Sequence, residues 1–159
     1  MRASLLAFAA TLIPTTSVSA QDSFDWTTSI SGGSRIEVPE FMTDGWVRAL
    51  MENGVDYGTA FEPEAYPVQL RQYRTKAKGR PFEYLATGLG TLAEEVTYTF
   101  DEPDLGAISG YTDGRSEVFY AMCKLEETVV CFDMHWPTEA QMMFGPIAER
   151  IAKGFRTGF

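Results

Sequence analysis

The sequence predicts an α+β fold, in which a twisted antiparallel sheet has a C-terminal helix and one or two shorter helices packed on it. The stretch Ile108–Trp136 alternates like three consecutive strands, and residues 138–155 have helical periodicity. The chain length is consistent with this fold class, because 159 residues with a short leader leave enough chain for one hydrophobic core. About six to eight strands are expected.

The first twenty residues have the pattern of a secretory signal peptide. One basic residue precedes the apolar run 5–13, and a tail of small residues ends at Ala20. The run is too short to span the roughly 30 Å hydrocarbon core of a bilayer. We therefore expect residues 1–20 to be removed by cleavage between Ala20 and Gln21, and residues 21–159 to form one periplasmic or secreted domain without an integral membrane segment.

The charge balance excludes some classes of partner. The chain has 13 Lys and Arg against 22 Asp and Glu, a net charge of −9, which becomes −10 when Arg2 is removed with the leader. A protein this acidic is a poor candidate for binding nucleic acid or an anionic membrane surface.

The N-terminal part of the domain is expected to begin with a hairpin. Turn residues 31–34 separate two β-type runs within residues 29–38, and Pro39 ends the second run. A short helix is then expected within residues 41–53, because apolar side chains recur there at helical spacing: Trp46, Val47, Leu50 and Met51.

Two strands follow, at residues 55–62 and 68–75, and a cluster of basic residues lies around the end of the second: Arg71, Arg74, Lys76, Lys78 and Arg80. One hypothesis is a patch that binds an anionic ligand or a lipid headgroup. The alternative, which we favour, is an exposed edge strand and turn whose cations prevent edge-to-edge pairing.

A short helix is expected from Pro81, and a strand over residues 96–100 with Val96, Tyr98 and Phe100 facing inward. After the central strands, Thr138 and Gln141 have the spacing of a capping box that begins the C-terminal helix. A bend or restart is expected at Gly145 and Pro146, and an end at Gly154.

The central stretch contains both cysteines. If Cys123 and Cys131 face each other across a hairpin, the residues on the other face of the two strands are almost wholly apolar: Val118, Tyr120, Met122, Phe132, Met134 and Trp136. An exported protein folds in an oxidising compartment, so a disulfide is the first hypothesis, and it would stabilise the fold by roughly 2–3 kcal/mol. The alternative, a redox-active pair, lacks the Cys-x-x-Cys spacing.

Asp133 and His135 share one face of the last central strand. A hydrolase could use them as a dyad with Ser109 or Ser116 as nucleophile, although the chain has no Gly-x-Ser-x-Gly motif. A zinc site would need more ligands than one His and one Asp. We favour a surface-facing structural role for both residues.

Four motifs together resemble a known group: Ile108-Ser-Gly-Tyr111, Phe119-Tyr-Ala-Met-Cys123, Cys131-Phe-Asp-Met-His-Trp-Pro137 and the helix ending Ile151-Ala-Lys-Gly-Phe155. The resemblance is to small exported α-proteobacterial proteins of unknown function with a PsbP/Mog1-like α/β sandwich. It covers roughly residues 57–156, and it implies a twisted antiparallel sheet backed by helices. It brings no catalytic residues.

The function predicted from the sequence is that of an exported, non-catalytic binding or interaction module. The expected partner is an envelope protein or a small ligand, and no cofactor or metal site is expected. The alternatives are a hydrolase that uses Asp133 and His135, and anionic ligand or lipid-headgroup binding at Arg71–Arg80.

Overall fold

The computed structural model describes residues 24–50 and 55–158, so the predicted signal peptide lies outside the described residues. The strands are β1 (Trp26–Ser31), β2 (Ser34–Pro39), β3 (Gly45–Leu50), β4 (Val55–Pro63), β5 (Gln69–Thr75), β6 (Glu95–Asp101), β7 (Leu105–Thr112), β8 (Glu117–Leu125), β9 (Val129–Pro137) and β10 (Arg156–Thr157). The helices are α1 (Pro81–Thr87), α2 (Leu89–Leu92) and α3 (Gln141–Gly154).

The strands form two antiparallel sheets. The larger has seven strands in the order β3-β4-β5-β9-β8-β7-β6, and the smaller has three in the order β1-β2-β10. The C-terminal helix α3 packs on β2 and β9, and α1 packs on β7 and β8. The predicted fold class, an antiparallel α+β fold with a C-terminal helix and shorter helices, is confirmed.

The register predicted for the central strands is also confirmed. Cys123 lies opposite Cys131 across β8 and β9, and Met122 lies opposite Phe132. The face that contains Phe132, Met134 and Trp136 is buried under α3 and the small sheet. The strand alternation in β8 and β9 therefore identified the larger core correctly.

A second core lies on the other face of the large sheet, under α1. Leu85 of α1 packs there with Ile108 and Phe119. Gly106 of β7 allows this close packing, because a Cβ at that position would collide with the backbone of Pro81 and Phe82. Helix α1 thus covers the β7 and β8 end of this face.

The helix predicted within residues 41–53 is wrong for its described part. Residues 45–50 form the strand β3, which pairs with β4 along its whole length, whereas residues 51–53 lie outside the described residues. Backbone pairing with β4 satisfies the donors and acceptors of this segment, and that tertiary interaction overrides a weak local helix signal.

The inward orientation predicted for Val96, Tyr98 and Phe100 is wrong. These side chains are 42%, 47% and 37% exposed. The strand β6 has the expected alternation, but it lies at the end of the sheet order and, among the described strands, pairs with β7 and with no other. An alternating apolar and polar sequence indicates a half-buried strand only where another layer covers the apolar face.

The start of the C-terminal helix also differs from the prediction. Residues 138–140 form a 3-10 turn, and α3 begins at Gln141 without a side-chain cap. The capping-box residues have other partners: the Thr138 hydroxyl donates to the Arg115 carbonyl, and the Gln141 side chain accepts from the Trp136 indole. The helix continues through Pro146 and ends at Gly154, so the expected restart does not occur.

Candidate functional site

Helix α1 covers one face of the large sheet over β7 and β8. A groove of about 700 Å³ lies on the same face, over β5 and β9. Part of its lining comes from the end of β4, the connection that follows and the start of β5, and another part comes from Leu89 and Leu92 of α2. Its charged lining residues include Arg71, Glu117 and His135. The volume is in the range of small-molecule sites.

Strand alternation and register bring the charged residues together. Arg71 on β5 lies directly opposite Asp133 on β9, and His135 lies two residues further along β9 on the same face. Glu117 begins β8, the strand on the other side of β9. Three neighbouring strands thus contribute the four side chains.

Arg71 and Asp133 form a bidentate ion pair. The Arg71 Nε donates to Asp133 Oδ1 at 2.7 Å, and Nη2 donates to Oδ2 at 2.8 Å. The Asp133 side chain is fully buried, whereas that of Arg71 is 32% exposed. Arg71 therefore links a buried carboxylate to the groove.

The pair stays charged in spite of its burial. Burial by itself would raise the pKa of Asp133, but the nearby His135 ring and the charge of Arg71 lower that pKa below its usual value. Burial likewise opposes the charge on Arg71, yet Asp133 raises the pKa of the guanidinium. Beside the pair, burial and the charge of Asp133 raise the pKa of Tyr73 far above its usual value, so its phenol is neutral.

His135 lies between two carboxylates. Its Nδ1 is 3.2 Å from Glu117 Oε1, and its Nε2 is 3.5 Å from Asp133 Oδ1. Burial would lower the pKa of the imidazole, but Asp133 and Glu117 raise it. The ring also stacks on Phe119, with centroids 6.2 Å apart. The site therefore favours a fixed imidazolium.

The surface-facing role predicted for Asp133 and His135 is wrong, because Asp133 is fully buried and the His135 side chain is only 16% exposed. The sequence pattern places both on one face of β9 but could not show that the Arg71 side chain from β5 and the groove lining enclose them there. Local alternation shows which residues share a face, and long-range packing determines whether water reaches it.

The geometry does not assemble the hydrolase considered above. Both ring nitrogens of His135 face carboxylates, which leaves neither placed to accept a proton from a nucleophile. Ser116 donates its hydroxyl to Asp113 instead. Ser109 pairs with Tyr120 in the sheet, and Tyr120 packs against the core on the opposite face.

The five basic residues proposed as an anion patch do not converge. Arg71 belongs to the groove, whereas Arg74 alternates to the other face of β5 and lies against Gly33, in the turn between β1 and β2. Arg80 pairs with Asp101 at 2.7 Å. Lys76 and Lys78 are exposed. Only Arg71 of this set lines the groove.

The two cysteines lie outside the groove. Cys123 and Cys131 are at disulfide-bonding distance, with Cα atoms 4.1 Å apart, and both are fully buried under α1.

Within residues 24–50 and 55–158, no group of three or more His, Cys, Asp or Glu side chains could hold a metal ion. No helix in that part of the chain is long and apolar enough to cross a membrane.

Sequence reasoning missed Glu117 and the pairing of Arg71 with Asp133. The first could have been found, because the β8–β9 register places Glu117 opposite Pro137 and diagonal to His135. The second required knowledge that β5 inserts beside β9, about sixty residues away in the sequence. No local pattern indicates that pairing.

No family model matches the chain, and no curated protein matches it. Among solved structures, the solution structure of cyanobacterial PsbP (CyanoP) from Synechocystis sp. PCC 6803 is similar, with a TM-score of 0.53 at 10% identity, over 92% of this chain and 97% of that chain. LpqN, involved in cell envelope biogenesis of Mycobacterium tuberculosis, matches with a TM-score of 0.42 at 12% identity, over 94% of this chain and 100% of that chain. The likeness to CyanoP confirms the predicted PsbP-like fold.

Proposed function

We propose that this chain is an exported, non-catalytic binding module, and that its ligand site is the groove above Arg71, Glu117 and His135. The observation that carries the proposal is the ion network beneath the groove: a fully buried carboxylate joined through Arg71 to a concave surface with apolar walls. A few placed polar groups within a mainly apolar cleft are typical of small-molecule sites.

The network is poorly explained as a device for stability alone. Burial of an ion pair costs desolvation free energy that its attraction often fails to offset, and well-packed apolar residues at the same positions are often at least as stable. Arg71 and His135 also both line the groove, where a ligand could contact them. A binding role accounts for charges at this position of the sheet.

Export is supported by the sequence of the leader and by the cysteines. The pattern of residues 1–20 is that of a signal peptide, and Cys123 and Cys131 are placed to form a disulfide in an oxidising compartment. The proposed mature protein begins at Gln21 and acts in the periplasm or after secretion. N-terminal sequencing of the protein from a periplasmic fraction should begin at that glutamine, and an uncleaved cytoplasmic product would contradict export.

A small ligand is proposed in preference to an envelope protein, because Arg71, Glu117 and His135 line an open groove of about 700 Å³. The proposal is tested by native mass spectrometry of the protein purified gently from periplasm. A bound small molecule should be detected on the wild-type protein.

Two matched variants decide whether that ligand occupies the groove. Leu92→Trp places a bulky ring at the groove wall, where the leucine is 72% exposed, and should abolish the bound mass. Met142→Trp adds the same ring at a side chain that is 90% exposed and outside the groove lining, and should retain it. Absence of any bound mass, together with unchanged amide NMR shifts in a low-molecular-weight periplasmic extract, would refute the binding role.

A further inference from the structure

The two ends of the ion network have unused hydrogen-bonding groups of opposite charge. Asp133 accepts from Nε and Nη2 of Arg71, and Nη1 makes no hydrogen bond to the part of the chain that the structure describes. At the other end, Glu117 uses one oxygen, Oε1, for both His135 and Thr112. Its second oxygen, Oε2, has no hydrogen bond to a described residue.

The distance between these two groups follows from the sheet. Arg71 is on β5 and Glu117 on β8, and β9 lies between those strands. Arg71 lies opposite Asp133 and Glu117 lies opposite Pro137, four residues further along β9, but both side chains reach toward Asp133 and His135. Arg71 Nε is 2.7 Å from Asp133 Oδ1, His135 Nε2 is 3.5 Å from the same oxygen, and His135 Nδ1 is 3.2 Å from Glu117 Oε1, so Arg71 Nε and Glu117 Oε1 are no more than about 12 Å apart. An extended chain spans roughly 3.3–3.6 Å for each residue, so a peptide of about two or three residues fits this separation.

Much of the groove lining is apolar, although Glu62 also lines it and accepts a hydrogen bond from Gln69 at 2.6 Å. Leu89 and Leu92 belong to one wall, and Pro67 and Val68 to the other. Leu92 is 72% exposed, so much apolar surface at this wall remains in water when the groove is empty. An apolar group of a ligand would cover this surface and gain free energy from its burial.

We propose that the groove binds a short zwitterionic peptide, with its terminal carboxylate on Arg71 Nη1, its terminal ammonium on Glu117 Oε2, and an apolar side chain against Leu89 and Leu92. This inference deepens the proposed function and rests on it. The charges are complementary at both ends, and Asp133 and His135 hold the two contact residues in place from below.

The test uses a defined probe, the tripeptide Ala-Leu-Ala, measured by calorimetry as the free zwitterion, the N-acetyl form and the C-terminal amide. Each capping group removes one charge-assisted hydrogen bond, so each capped form should bind about tenfold more weakly or worse. Equal affinity for the free and capped forms would overturn the inference, and so would the absence of binding by all three.

Two variants test which residue binds each terminus of the peptide. Glu117→Gln, at a side chain that is 44% exposed, should weaken the free tripeptide and leave the N-acetyl form unchanged. Arg71→Lys retains a cation beside Asp133 but lacks Nη1, so it should weaken the free acid and leave the amide unchanged. Glu149→Gln, on the exposed face of α3, is the matched control and should bind like the wild type. An acetylation effect that persists in Glu117→Gln would refute the assignment.

The binding role and the zwitterionic ligand class can be refuted independently. If native mass spectrometry detects a groove ligand while the tripeptide series does not bind, the binding role stands and the zwitterionic class is wrong. If neither experiment detects a ligand, both proposals are refuted.

Discussion

Removal of Arg71 should expose the energetic consequence of the buried ion pair. In Arg71→Met, Asp133 loses two charge-assisted hydrogen bonds of 2.7 and 2.8 Å and remains fully buried. Breaking one partner of a buried pair costs about 3–5 kcal/mol. Because His135 still lies 3.5 Å from Asp133 and Arg71 is partly exposed, we expect a loss of about 3 kcal/mol in the free energy of unfolding.

A second substitution separates charge from packing. Asp133→Asn combined with Arg71→Met removes the unpaired charge, so the double variant should regain about 1–2 kcal/mol relative to Arg71→Met alone. Arg80→Met is the matched control, since its pair with Asp101 has side chains 48% and 39% exposed and should contribute less than about 1 kcal/mol.

The assay is urea unfolding at pH 7 under non-reducing conditions, followed by far-UV circular dichroism, with the slope of the transition compared between variants. The Arg71→Met deficit should shrink as pH falls, because protonation of Asp133 removes the unpaired charge. A loss below about 1 kcal/mol at pH 7, or a double variant less stable than Arg71→Met, would refute the assignment of a buried charge pair.

Three further predictions concern pH, the cysteines and the sheet edge. Because the pKa of His135 is raised in the folded state, its imidazolium contributes stability that is fully present below pH 6.5, the usual pKa of histidine. This stability is lost as pH rises through the raised pKa of the folded state, and His135→Gln should flatten the decline when unfolding is measured against pH. Mass spectrometry of periplasmic protein should find Cys123 and Cys131 joined, and replacement of both by serine should cost about 2–3 kcal/mol; two free thiols would contradict the bond. In thermal melts, Tyr98→Ala should cost less than about 1 kcal/mol, whereas Phe132→Ala should cost about 3–5, and similar losses would contradict the exposed edge.

The sequence predicted those parts of the fold that depend on neighbouring strands. The register of β8 and β9 followed from two cysteines and the apolar face that their pairing creates, and the structure has that register. The errors arose where the local pattern is weak, or where coverage by another layer decides the outcome. Residues 45–50 form β3 because they pair with β4, and Tyr98 is exposed because no described element covers its side of the last strand.

The candidate site was accessible from the sequence only in part, for the same reason. The alternation of β9 places Asp133 and His135, the only histidine, on one face of a strand, but their partners come from β5 and β8. Arg71 is close in sequence to four other basic residues, whereas the alternation of β5 separates Arg71 from Arg74. Proximity along a strand is therefore a poor guide to shared chemistry.

The same strands that build the core also fix the geometry of the groove. On β9, Met134 is buried against α3 while its neighbours Asp133 and His135 face the groove side of the sheet. A shift of β9 by one residue would bury the charges in the apolar core and expose the core residues on the other face. Packing against α3 therefore holds the charged side chains in their places before any ligand arrives. A site built in this way loses little conformational freedom on binding, which is the condition under which a few hydrogen bonds can select one ligand chemistry.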